Sequence, residues 1–342
     1  MPSLLERQIV NAGKREDLAN LIAMVDAKDT PFTSMAKKGA QPGNTIFRWQ
    51  ADRLPATTAP TPVVDGTDVD PATGTTNFVN DGTTQFRVEL SNRIQIFRKA
   101  VRVSKLTQDV ANIAGVRDEL ANNVSKAITL IKRDMEVAMC GNQGAQVDNG
   151  TVGYRTRGLD KWIVAAANID TVDLPAAASA FCPSASQIST VGTAALTETV
   201  VQDILTGIYS QTGQFKDYDA LVGPTLKRAF TNLVFTTNAS GTNQYQSIRT
   251  FNREADASSY VSSVDVFEGD FGRIRLHPSL FLKNNFSGYI IPFDMVEVRY
   301  GGNVAQVTEL TDNGGGPARL VEAVAGLCIH NPLAFGKFDF TA

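Results

Sequence analysis

Two stretches of alternating residues frame an oil-poor segment near the start of the chain. Phe47, Trp49 and Ala51 alternate with Arg48, Gln50 and Asp52, the period of a half-buried strand. Thr84, Phe86, Val88 and Leu90 alternate with Gln85, Arg87, Glu89 and Ser91, and the β pattern runs on through Ile94 and Ile96. Together they predict a long two-stranded ribbon. Its tip, about Leu54 to Gly82, is rich in Pro, Thr, Gly and Asp and holds no basic residue. An isolated ribbon of two strands is marginal in water. A loop this long without structure of its own is usually disordered or functional. One resolution is that the ribbon packs on something outside the chain.

The period changes after Ser104. "SKLTQDVANIA" predicts a short helix, broken at Gly115. Val116, Leu120, Val124, Ala127, Ile128, Ile131, Met135, Ala138 and Met139 then recur at spacings of three and four, the stripe of a long amphipathic helix. Asp118 and Glu119 fall in its first turn, where the helix dipole favours acids, and Gly141 follows as a cap. About 25 residues make a helix roughly 37 Å long, enough to brace a subunit.

A mixed α/β region follows. Val200, Val201, Ile204, Leu205 and Ile208 mark a helix ending near Gly213, and Pro224 opens another before Leu226, Phe230 and Leu233. "DALVG", "VDVFEG", "GRIRLHP" and "GYIIPFDMVEVRYG" predict strands. "VAQVTELTDNGGGPARLVEAVAGLCIHNP" predicts two more joined by an Asp-Asn-Gly turn, the second apolar on both faces and so inside a sheet. At the other end, residues 1–39 scatter apolar positions among charges. "NLIAMVDAKDTPFTSMAKKG" has room for a helical turn or two, Thr30-Pro31 favours an extended or turn geometry, and the segment reads as a surface arm.

Composition narrows the class without naming a reaction. The 342 residues are 43% hydrophobic and 20% charged, as in a folded chain. A net charge of −3 supplies no global basic field for nucleic acid or anionic lipid. No apolar run approaches the roughly 20 residues that span a bilayer, and "MPSLLERQIVNAGKRED" does not read as a signal peptide. Cys140, Cys182 and Cys328 are few and widely spaced, which argues against a disulfide framework or a CxxC metal site and for a reducing compartment.

The candidates for chemistry each carry a plainer reading. His277 precedes a proline and His330 ends a strand. Cys140 lies at a helix C-terminus, where the dipole raises a thiol's pKa. Asp65, Asp68 and Asp70 suggest a cation loop, but "DGTDVDPATGTTN" lacks the terminal Glu and the Gly position of an EF-hand, so a solvated acidic loop fits better. "CGNQGAQVDNGTVGYRTRG" has no phosphate-cradle pattern and reads as a connection. Lys37-Lys38 and Lys132-Arg133 are isolated basic pairs without neighbouring aromatics. No catalytic, cofactor-binding or metal-binding residue is assigned.

An arm, a projecting ribbon, a bracing helix, an α/β lobe and a final sheet, with no reactive constellation, offer surface that neighbouring copies could bury. The strings "TPFTSMAKKG", "FRWQADRLPA", "GVRDELANNVSKAITLIKRDMEVAMCGN" and "RLVEAVAGLCIHNPLAFGKF" resemble the major capsid proteins of tailed bacteriophages with the Hong Kong ninety-seven type fold. The resemblance runs from about Thr30 to Phe338, resting on layout more than motif between about Val152 and Ser263.

It implies an α+β fold with an N-terminal arm (1–40) and an extended loop lying over a neighbour (41–99). A peripheral domain with a spine helix would take 100–150 and 300–342, and an axial domain 151–299. It implies a structural protein, not an enzyme, that assembles as hexamers and pentamers into an icosahedral shell around double-stranded DNA. The implied partners are copies of itself, with portal, scaffolding and decoration proteins as further candidates. Packaged DNA would be touched non-specifically on the inner surface, and no membrane is involved. The implied place is the virion, with assembly in the host bacterial cytoplasm. The stretch from Gly39 to Arg98 holds no lysine, so the covalent cross-link of the fold's name-giving member cannot start from this loop, and a non-covalent shell is expected. No N-terminal scaffolding segment is expected either, since the arm begins at once. Two alternatives are an encapsulin-like nanocompartment shell and a secreted or surface binding protein, the latter disfavoured by the missing signal peptide.

Overall fold

The computed structural model describes residues 29–54, 65–66, 87–110, 118–190, 196–233, 252–254, 257–259 and 265–340. The chain opens with α1 (Pro31–Met35), β1 (Lys37–Lys38), β2 (Ile46–Asp52), β3 (Arg87–Arg93), β4 (Gln95–Arg102), α2 (Lys105–Val110) and the long α3 (Glu119–Cys140). The middle holds α4 (Leu159–Trp162), β5 (Ile188–Ser189), α5 (Glu198–Thr212), β6 (Lys216–Val222) and α6 (Pro224–Leu233). Strands close the chain: β7 (Asn252–Glu254), β8 (Ala257–Ser259), β9 (Val266–Gly269), β10 (Gly272–Pro278), β11 (Gly288–Ile291), β12 (Val296–Tyr300), β13 (Gln306–Leu310), β14 (Ala318–Ile329) and β15 (Gly336–Phe338).

Helix α3 forms where the spacing predicts it. Leu120, Ala127, Ile131, Met135, Ala138 and Met139 are buried, with Val124 and Ile128 packed partly against the same core. Gly115 and Val116 lie outside the described residues. Asp118 is the N-cap rather than part of the first turn, because its Oδ1 accepts from the Leu120 and Ala121 amides at 2.9 and 3.2 Å. Gly141 caps α3 with φ −83°, so its value is not left-handed freedom. A Cβ there would stand 2.6 Å from the Val137 carbonyl oxygen, which only glycine avoids. Gly213 after α5 is the left-handed cap, at φ 64°.

Two sheets carry the architecture. One, of five strands, runs β1-β12-β14-β13 with β4 also paired to β14; the other, of six, runs β5-β15-β11-β6-β10-β9. β14 is therefore interior, as its apolar sequence predicts. The β pattern read as continuous from Thr84 to Ile96 breaks at Ile94. Its amide closes the ribbon on the Thr45 carbonyl at 3.0 Å, and Gln95 then starts a new ladder opposite Ala325. "GYIIPFDMVEVRYG" is likewise two strands. Pro292 has no N–H for a ladder, and a 3-10 turn at Phe293–Met295 sends β11 and β12 into different sheets.

The six-stranded sheet divides two cores. Leu221, Tyr289 and Ile291 face the core shared with α3, whereas Ala220, Val222 and Ile290 face a second core with α5 and α6. Burial on both faces explains the apolar runs at 220–222 of β6 and 289–291 of β11. β15 joins this sheet beside β11, and Phe338 and Phe340 enter the second core. Residues 300–340 thus contribute to both sheets.

Candidate assembly surfaces

The base of the ribbon is built into its own subunit. Phe47, Trp49 and Ala51 of β2 and Val88 and Leu90 of β3 are buried in the first core. The Trp49 ring lies 5.6 Å from that of Trp162 on α4 and 5.8 Å from that of Phe47. The expectation that the ribbon packs on something outside the chain is therefore corrected at its base: strand alternation puts Phe47 and Trp49 on one face, and that face meets α4 and β14 of the same chain. The outward charges are also closed locally. Arg48 meets Glu89 at 2.6 Å, Arg87 meets Asp52 at 3.2 Å, and Arg53 donates to the Ala180 carbonyl at 3.1 Å. Asp65 sits in an exposed turn; Asp68, Asp70, Asp81 and Phe86 lie outside the described residues.

A polar knot fixes the root. Asn92 Nδ2 donates to the Arg157 and Leu327 carbonyls at 3.1 and 2.6 Å, while its Oδ1 accepts from the Arg157 and Arg93 amides at 2.7 and 2.8 Å. The Arg157 guanidinium is wholly buried. It donates to the Ser91 and Val172 carbonyls at 2.9 and 2.6 Å, meets Asp170 at 3.2 Å and lies 4.7 Å from the Trp162 ring centre. Burial lowers its pKa and Asp170 opposes that shift; the group stays charged at neutral pH. Arg93 Nη2 donates to Asp173 at 2.8 Å beside it. Sequence reading missed Arg157, which lies in a stretch that reads as a plain connection. An arginine can donate five hydrogen bonds, so a glycine-rich turn can be held by one, but no spacing rule announces it.

Beside the ribbon lies an open sheet face. Phe47 covers β14 at Gly326, where a Cβ would stand 2.6 Å from its ring. Residues 320, 322 and 324 of β14 share that face by the strand period. Cross-strand pairing adds Ile96, Arg98 and Ala100 from β4 and Thr308 from β13, with Leu310 next along. Ile96 is 52% and Leu310 36% exposed, and Arg98 meets Glu322 at 2.6 Å between them. The other face is occupied: Lys99 of β4 meets Asp134 of α3 at 2.7 Å.

The segment read as a surface arm is anchored at its end. Phe32 has no exposed surface. The Glu136 carboxylate of α3, equally buried, accepts from the Phe32 and Thr33 amides at 2.7 and 2.8 Å. Burial raises the Glu136 pKa, and those amides pull the other way. Lys37 and Lys38 form β1, parallel to Glu297 and Val298. Residues 1–28 lie outside the described part.

The remaining candidates find ordinary partners. His277 Nε2 is 2.9 Å from Asp219 across neighbouring strands, and His330 Nε2 is 3.1 Å from Glu297. All three cysteines are free and buried. Burial, more than any dipole, pushes the Cys140 thiol well up, with Glu136 adding; Cys182 is raised to about 11 and Cys328 to about 12. Such thiols are inert. Arg133 does have an aromatic neighbour, the Phe281 ring at 5.5 Å, which only the fold brings near. Deep between the cores, Lys337 meets Asp160 at 2.8 Å and Asp339 at 3.1 Å, the Tyr289 hydroxyl donates to Asp160 at 2.9 Å, and Lys283 meets Asp339 at 3.0 Å. Two cations and two carboxylates balance, so this is a structural joint. Burial drives the Tyr289 phenol well above its ordinary value, Asp160 adding to it. No helix among the described residues is long and apolar enough to cross a membrane.

A long helix under one face of a sheet, a ribbon rooted on the other and a second lobe around a six-stranded sheet define the class, the tailed-phage capsid fold. The chain matches the family described as SU10 major capsid protein over residues 7–341, and it belongs to that family. Over 131 residues it is 35% identical to the major capsid protein of Escherichia phage Phieco32, a match covering 38% of this chain and about a third (34%) of that protein. Its fold is similar to the capsid protein of cyanophage A-1(L), at TM-score 0.64 and 14% identity over 99% of this chain and 100% of that one. It is also similar to the SrpI encapsulin of Synechococcus elongatus PCC 7942, at TM-score 0.52 and 12% identity over 99% and 96% of the two chains.

Proposed function

We propose that the chain is the repeating subunit of a phage head, assembling through hexamers and pentamers into a closed shell around double-stranded DNA. The observation that carries this reading is the half-covered sheet face. The subunit's own ribbon occupies the Gly326 end, and the half at Ile96, Leu320, Val324 and Leu310 remains open. A neighbouring copy's extended loop is the proposed occupant. The same reading divides the chain into an arm (1–40), the extended loop (41–99), a peripheral domain (100–150 with 300–342) and an axial domain (151–299), with β15 tying the chain's end to the axial sheet. Portal, scaffolding and decoration proteins are further proposed partners, and the host bacterial cytoplasm is the proposed site of assembly. Because burial of the loop is assigned to assembly, deleting residues 56–80 should leave a folded subunit and abolish or weaken shell formation. Particles of normal yield and thermal stability from the deletion variant would contradict the reading. DNA co-purifying with the particles, rather than a cargo enzyme, separates a phage head from a nanocompartment.

A further inference from the structure

Asp-Asn-Gly occurs twice in the chain, at 148–150 and at 312–314. By sequence the two have the same chemistry. An asparagine amide before glycine is open to attack by the next backbone nitrogen, because glycine has no side chain in the way. The fold treats the two differently. In both turns the glycine has positive φ, 82° at Gly150 and 90° at Gly314. In both its N–H donates to the aspartate Oδ1, at 2.8 Å for Asp148 and 2.9 Å for Asp312. Each attacking nitrogen therefore has an acceptor in place for the proton it must lose. At the first turn the amide side chain is held, because Asn149 Oδ1 accepts from the Thr151 and Val152 amides at 3.1 and 2.8 Å. At the second, Asn313 is exposed and its side chain makes no hydrogen bond among the described residues. The plain reading of 311–317 is a hairpin turn set on the end of β4, where the Val103 amide donates to the Pro317 carbonyl at 3.2 Å. Asp312 is kept beside the Gly314 nitrogen by a second amide, that of Gly316, at 3.0 Å.

We infer that Asn313 is a self-modification site, cyclising onto Gly314 and opening to aspartate or isoaspartate. The Gly314 backbone nitrogen forms a bond to Asn313 Cγ. Its proton passes to the Asp312 carboxylate and on to the side-chain nitrogen, which leaves as ammonia. Water then opens the five-membered imide at either carbonyl. Attack within one chain needs no second reactant to be gathered, which is why an unheld side chain suffices. The product carries a new carboxylate three residues past Leu310, at the rim of the open sheet face. A Cβ at Gly315 would stand 3.0 Å from Arg102 Nη1, so that guanidinium lies over the turn, and it meets no carboxylate among the described residues. The conversion gives it one nearby.

The test incubates the full chain, folded and in urea, and follows both Asp-Asn-Gly peptides by mass spectrometry, where conversion adds about one mass unit. In the folded chain Asn313 should convert about tenfold or more faster than Asn149, and in urea the two should convert alike. The folded rate should be higher at about pH 9 than at about pH 7, because the attacking nitrogen must lose a proton. Asp312→Asn, which keeps an acceptor for the Gly314 and Gly316 amides, should slow Asn313 by about tenfold or more. No conversion of Asn313 in the folded chain, or conversion of Asn149 at an equal or higher rate, overturns the assignment. An unchanged rate in Asp312→Asn overturns the part given to Asp312. Shell assembly is not needed for any of these readings, so their failure leaves the capsid proposal where it stands.

Discussion

Glu136 has no exposed surface, yet it is the residue that ties the arm to the long helix. Its folded-state pKa is raised, chiefly by burial, above the ordinary 4.5. A group raised in this way contributes stability that is fully present below its unfolded pKa and is lost as pH rises through the folded value. The parent chain should therefore lose stability as pH climbs from about 4.5. Glu136→Gln, which keeps one acceptor for the Phe32 and Thr33 amides, should show a flatter profile in denaturant melts from pH 4 to 8. Identical slopes would show that the carboxylate is not desolvated. Met135, one position earlier and 1% exposed, tests packing alone. Met135→Ala should cost about 2–5 kcal/mol, read as a lower denaturant midpoint with unchanged slope.

At the scale of elements, the ribbon and its sheet face decide how copies meet. Ile96 lies on the open half of the face, more exposed than buried. Ile96→Glu should change subunit stability by no more than about 0.5 kcal/mol while preventing shell formation, measured by melting and by sedimentation of the same sample. Normal particles from this variant would remove the open face from the account. The elements themselves were largely legible, because α3, α5, α6, β2, β10 and the β13–β14 hairpin follow from hydrophobic period and turn residues. Three features were not. The break at Ile94 is set by which strand each half finds, Thr45 on one side and Ala325 on the other, and period alone cannot distinguish two collinear strands from one. The burial of Phe47 and Trp49 inside the same chain depends on Trp162, more than a hundred residues away. The knot of Asn92 and Arg157 is a set of side-chain to backbone bonds with no periodic signature.

The whole molecule is a subunit with its own cores that copies of itself complete. No lysine lies between Gly39 and Arg98, and the three cysteines are buried and unpaired. Particles boiled in denaturant without reductant should run as one band at the monomer mass of 36.8 kDa; a ladder of covalent oligomers would point to a cross-link elsewhere in the chain. Exposed ion pairs such as Arg48–Glu89 contribute only about 0–1 kcal/mol each, so apolar cover repeated around a closed shell must carry the stability. Raising salt should then soften particles only modestly. The most direct measurement is cryo-electron microscopy of the purified protein across a concentration series. The account predicts closed icosahedral particles in which a neighbouring copy covers the face at Ile96 and Leu310. Monomers at every concentration, or shells in which that face is bare to solvent, would contradict it.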